Sequence, residues 1–141
     1  MSRKFRVADA TLSIGDVPYM RAAEMYLIEA EAEARRGQDG LAAKALYTLA
    51  VNRNPSYTIS TKTGTALINE IMDQRRIELW GEGFRFYDLK RTNSTLDRTG
   101  ANHNVSYANI ITMPAGDKQW QFLIPQDEIN IGNGTVIQNP L

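Results

Sequence analysis

Apolar residues recur at steps of three and four from residue 20 to residue 50, a period that suits paired amphipathic helices and little else. Met20, Ala23, Leu27, Ala30 and Ala34 fall on one helical stripe. Asp16-Val17-Pro18 offers a start, since Asp can cap free backbone N–H groups and Pro is tolerated in a first turn. Glu31 and Arg35 stand four apart and can pair. Gly37 supplies a stop, and Asp39 can cap a second helix. Leu41, Ala45 and Leu49 form a row on that helix, with Ala42 and Leu46 beside it, until Asn52, Asn54 and Pro55 end it. So short a link predicts a helical hairpin.

The rest of the chain is less periodic. Residues 56–64 read as a loop. A third helix is expected from near Thr65, with Leu67, Ile68, Ile71 and Met72 as its apolar stripe. Gly81 and Gly83 bracket Glu82 and should bend or break it, leaving Phe84–Arg91 as a short continuation. Residues 92–118 read as a long loop with a strand at Tyr107–Thr112. Trp120, Phe122 and Ile124 alternate with Gln121 and Leu123, which predicts a strand ended by Pro125. Asp127–Ile131 suits one helical turn, and Phe5 and Val7 hint at an early strand. The expected architecture is one mainly α domain over residues 1–141. A helical part covers about 16–91, and a loop-rich part with short strands covers about 92–141.

Two patterns carry finer expectations. Ala43, Tyr47, Ala50 and Pro55 stand at the spacing that closes a tetratricopeptide repeat, where small residues admit close helix approach, an aromatic fills the gap and Pro ends the unit. One such unit needs neighbours to cover its faces. On the third helix, Arg75, Glu78 and Glu82 continue the apolar stripe as charges, with Arg85 and Asp88 just beyond. They can be read as a ligand or partner clamp, or as a structural ion-pair network fixing the glycine bend. The structural reading is preferred, because charges at stripe positions must pair or reach water. Trp80, Phe84, Phe86 and Tyr87 are read as core for their helical spacing, and Trp120 as the buried side of its strand.

Composition narrows the function. Lys plus Arg is 16 and Asp plus Glu is 16, so the chain has no net charge and no bulk electrostatic footprint for nucleic acid. There is no cysteine for a disulfide, thiolate metal site or nucleophile. The one histidine, His103, lies between Asn102 and Asn104 in loop sequence. No catalytic, cofactor or metal residue is assigned. No apolar run approaches a membrane span, and no signal peptide opens the chain.

Three blocks carry a family resemblance. Residues 21–32, from Arg21 through Glu24 to Glu31, resemble the R-x-A-E-x-x-L-x-x-A-E-A helix of SusD/RagB proteins. Residues 74–91 are similar to that family's E-R-R-x-E-L-x-x-E-G-x-R-x-x-D-L-x-R block, with Gln74 where Glu is usual. Ile124-Pro125, Glu128-Ile129 and Gln138-Asn139-Pro140 resemble its closing I-P-x-x-E-I…Q-N-P. An N-x-x-R-x-R-A stretch is reduced to Asn52-Arg53-Asn54.

The resemblance implies a mainly helical, tetratricopeptide-like fold in the C-terminal portion of a longer chain, with Met1 a secondary start. It implies a cell-surface lipoprotein of the outer membrane, held by an N-terminal lipid anchor absent here. Such a protein lids a SusC-like TonB-dependent transporter and binds oligosaccharide or another nutrient without chemistry or cofactor. The family's glycan contacts come largely from upstream segments, so no ligand residue is assigned. The alternative reading is a free-standing tetratricopeptide-like adaptor for proteins. A glycan-processing enzyme is a third class, and no residue spacing singles it out.

Overall fold

The computed structural model describes residues 4, 7, 9, 11–12, 14–15, 19–104 and 106–140. It is mainly helical and divides into two compact units, residues 1–80 and 81–141.

The first unit holds α1 (Ala22–Arg35), α2 (Asp39–Ala50) and α3 (Gly64–Glu78). The expected start at residues 16–18 lies outside the described residues, as does Phe5 of the early strand, while Val7 is in no strand. Met20 precedes α1 and is 70% exposed, so it does not extend the apolar stripe as expected. The remaining stripe is buried through Ala23, Leu27, Ala30 and Ala34.

Gly37 ends α1 in the left-handed region, at φ +76°. The Gln38 N–H donates to Glu33 O at 2.9 Å and the Gly37 N–H to Ala34 O at 3.1 Å, the paired bonds of a Schellman stop. Two residues after Gly37 the chain is helical again. Alanines at 42, 43, 45 and 50, with Leu46 and Leu49, form the buried side of α2. These short side chains let α1 and α2 approach closely, and α1 packs on α3 as well. Leu27, Leu46, Leu67 and Ile71 are fully buried.

Asp39 does not cap α2 as expected; it is the first helical residue, and Gln38 holds the N-cap position without a side-chain cap bond. The Asp39 carboxylate instead accepts the Gly64 N–H, at 3.1 and 3.2 Å, at the first residue of α3. One acid thus sits in the first turn of α2 and against the N-terminus of α3, where negative charge is favoured at both ends.

Helix α3 stops at Glu78, and Gly81 and Gly83 adopt φ of +77° and +84° before α4 (Phe84–Arg91) begins. Helix α4 opens the second unit. It is followed by a two-residue ladder of β1 (Leu96–Asp97) with β2 (Thr112–Met113), antiparallel, Leu96 opposite Met113. A 3-10 turn at Lys118–Trp120 and α5 (Gln126–Ile131) complete it. Leu89, Met113 and Trp120 form its buried centre, with Phe86 and Leu96 against them.

Two expected strands are corrected here. Tyr107 to Thr112 pairs only at its last residue. The Tyr107 and Ala108 N–H groups donate to Asn104 O, and the Ser106 N–H to Asn104 Oδ1, so a turn displaces the strand. Trp120 to Ile124 is no strand either. Asp117 accepts the Gln119 N–H at 2.9 Å and winds residues 118–120 into the 3-10 turn.

Beyond that turn the chain is extended, and its backbone bonds with side chains. Gln138 Oε1 accepts the Ile124 N–H while Gln138 Nε2 donates to Ile124 O, both at 2.9 Å. Asn139 Nδ2 donates to Phe122 O at 2.7 Å. Two amide side chains thus do the work of a neighbouring strand, meeting the demand that backbone polar groups be paired.

Candidate functional site

In the first unit the charged motif residues converge on Glu78, at the C-terminal end of α3. Arg53, just past α2, donates Nε to Glu78 Oε2 at 2.9 Å and Nη2 to Oε1 at 3.0 Å, a two-pronged grip. Arg21, at the entry to α1, donates Nη1 to Glu78 Oε1 and Nη2 to the Glu78 carbonyl, both at 2.7 Å. Lys4 Nζ donates to the carbonyls of Glu78 at 2.7 Å and Trp80 at 2.9 Å. Two cations, Arg21 and Lys4, thus bond carbonyls at the end of a helix, where the backbone dipole favours them. Hydrogen bonds from Arg53 hold the Glu78 carboxyl below its ordinary range; burial opposes this, and Arg21 adds to the lowering.

One turn earlier, Arg75 is buried and reaches Glu24 of α1 at 3.4 Å. Glu31 is also buried and accepts Arg35 at 2.8 Å. Of the five charges singled out in the sequence, Arg75 and Glu78 lie in this unit. Glu82, Arg85 and Asp88 belong to the second, where buried Asp88 accepts Arg91 Nε at 2.9 Å. The partners that the spacing rule did not name are Arg21, Glu24 and Arg53. Arg21 and Glu24 stand in the first block that carried the resemblance, and Arg53 in the reduced stretch that follows the second helix.

The repeat-spaced residues are placed as follows. Ala43 and Ala50 are buried, Tyr47 is half-buried with its ring 6.3 Å from that of Tyr57, and Pro55 is exposed. Tyr57 in turn fixes the loop before α3. Its hydroxyl donates to Glu70 Oε1 at 2.6 Å, and Ser60 Oγ donates to Oε2 at 2.7 Å. Burial, then this bond to Glu70, pushes the Tyr57 phenol well above its ordinary range.

The aromatic residues expected as core divide. Trp120 is buried at 5% exposure, and its Nε1 donates to Pro114 O at 2.7 Å. Phe84 and Phe86 are half-buried. Trp80 at 61% and Tyr87 at 60% are exposed, which corrects the expectation. Helix α4 has only eight residues and buries Asp88 and Leu89, a face that leaves Tyr87 turned outward. Phe86 touches the rings of Trp120, Phe122 and Tyr87, with centroids 5.1 to 5.4 Å apart.

Beside this cluster the second unit carries a cleft of about 300 Å³. Leu89, Met113 and Trp120 lie at its floor, and Arg85, Arg98 and Gln119 bring polar groups to it. His103 is exposed in its loop. Among the described residues, no three His, Cys, Asp or Glu side chains gather as metal ligands, and no helix is long and apolar enough to cross a membrane.

These features define a mainly helical protein with charge-tied helices and a loop-rich part bearing a small cleft. The SusD family model matches residues 2–141. A SusD-like protein of Formosa agariphila is 30% identical over 118 residues, 77% of this chain and 24% of the relative. A crystal structure of a candidate sugar-binding protein from Bacteroides vulgatus aligns with a TM-score of 0.76 at 30% identity, covering 88% of this chain and 28% of that one. This chain belongs to the SusD family. It spans about a quarter of the length of these two relatives.

Proposed function

We propose that this chain is part of a nutrient-binding protein that captures oligosaccharide without chemistry and passes it to a SusC-like TonB-dependent transporter. The whole protein would sit at the cell surface as an outer-membrane lipoprotein. The observation that carries this reading is the SusD family match along residues 2–141, joined by likeness to a structure described as sugar-binding.

The motif charges support a scaffolding role within that function. Glu78 is held low by two guanidiniums and so makes a poor general acid near neutral pH. We assign Arg75, Glu78, Glu82, Arg85 and Asp88 to holding structure, and Ala43, Tyr47, Ala50 and Pro55 to repeat-like packing. A glycan array with the full-length protein, followed by chromatography of the incubated glycan, tests the reading. Retention of an oligosaccharide that elutes unchanged is expected. Release of shorter sugars, or retention of no glycan, would overturn it.

A further inference from the structure

We infer that the cleft of the second unit takes one sugar ring bearing a carboxylate, an inference that rests on the nutrient-binding reading above and names the chemistry of a subsite. Its volume of about 300 Å³ stands at the small end for ligand sites, room for one ring and not for a chain.

The floor is apolar and fixed. Leu89, Met113 and Trp120 are all under a tenth exposed. The bond from Trp120 Nε1 to the Pro114 carbonyl sets the indole plane. A pyranose has one face of C–H groups that such a floor accepts, while its hydroxyls stay toward water.

The charge at the cleft is one-sided. Arg85 and Arg98 line it, and no acid does, on a chain whose net charge is zero. Arg98 is the better placed. Its backbone N–H donates to Ile111 O at 2.9 Å, which pins the residue beside the β1–β2 ladder. Among the described residues its side chain makes one long bond, Nη1 to Ile110 O at 3.4 Å. Among the described residues no carboxylate pairs with it. The adjacent acid, Asp97, is occupied instead by the Thr99 N–H at 2.8 Å. A guanidinium offers five donors in a planar fork that matches a carboxylate in two-pronged fashion, and most of that fork remains available here. The exposed Gln119 amide can bond a ring hydroxyl beside it.

The test follows the Trp120 indole N–H and the Gln119 side-chain amide by NMR in this chain. It uses three probes: the methyl glycoside of glucuronic acid, methyl glucoside and acetate. The glucuronide is expected to shift both signals with millimolar half-saturation. Methyl glucoside should bind about tenfold more weakly, the size of one charge-assisted hydrogen bond, and acetate should leave the Trp120 signal unmoved. Arg98→Gln should lower glucuronide binding about tenfold and leave methyl glucoside unchanged, with Arg98→Lys between. Equal binding of the two glycosides would overturn the carboxylate assignment while leaving the sugar-binding reading intact. A Trp120 shift with acetate would overturn the sugar ring. Silence of both signals with every probe would overturn the subsite, whereas the array above judges the whole protein.

Discussion

In residues 1–80 the helices bond their own backbone, and side chains fill the space between them. In residues 81–141 side chains bond much of the backbone, and little regular structure is left to form. The first unit buries leucine, isoleucine and alanine between α1, α2 and α3, then ties the helix ends with charges around Glu78. The second has a two-residue ladder, one 3-10 turn and two short helices about a small aromatic centre. Its extended stretch at residues 122–124 is held by Gln138 and Asn139 amides. Periodic burial tolerates many side chains of similar size, whereas a bond from one amide to one carbonyl tolerates almost none. The two regions should therefore fail differently when single residues are changed.

The largest effect is expected in the aliphatic core. Leu27→Ala empties a fully buried site and should destabilise the chain by about 3 kcal/mol in urea denaturation. A loss under about 1 kcal/mol would mean that α1 does not sit between its neighbours as described.

Glu78→Gln comes next, at about 2 kcal/mol near neutral pH, since it leaves Arg21 and Arg53 without their carboxylate. Its pH dependence is a sharper test. The folded-state pKa of Glu78 lies below its ordinary 4.5, so the unfolded chain takes up the proton first as pH falls. The stabilisation is complete above that value and is lost as pH drops through the lower folded value. Denaturation midpoints from pH 6 to pH 2 should show a shallower acid decline in Glu78→Gln than in the parent. Parallel curves would remove Glu78 from the account.

Gln138→Ala tests the second region. It deletes both bonds to Ile124 and should cost about 1 kcal/mol, with amide exchange at Ile124 rising about tenfold. Unchanged protection would show that the extended stretch needs no side-chain partner. The smallest effect is expected at Leu123, exposed on the same stretch. Leu123→Ser should stay within about 0.5 kcal/mol of the parent in the same denaturation.

This contrast also explains what could be read in advance. The α1–α2 hairpin, the onset of α3 near residue 65 and the short helix at Phe84–Arg91 follow from period and glycine placement, because helices bury by period. The strand expected at Trp120 failed because alternation describes which side is buried, not what bonds the backbone. There Asp117, Gln138 and Asn139 decided, and their action is not periodic. Asp39 was misassigned for a similar reason, since its Gly64 partner stands 25 residues away. The charges on the third helix signalled that partners must exist, but spacing along one helix could not name Arg21, Glu24 or Arg53 on other elements. The cleft left no mark in the sequence, because Arg98, Gln119 and Trp120 meet only through the turns that fold residues 92–120.

The central physical claim is that the family's charged blocks meet across the helices of the first unit, with Glu78 as their hub. A double-mutant cycle between Arg21→Ala and Glu78→Ala, read by urea denaturation at neutral pH, measures it most directly. A favourable coupling of about 1 to 2 kcal/mol that shrinks as pH falls below 4.5 and Glu78 takes up its proton is the predicted result. Additivity within about 0.3 kcal/mol at neutral pH would contradict the claim.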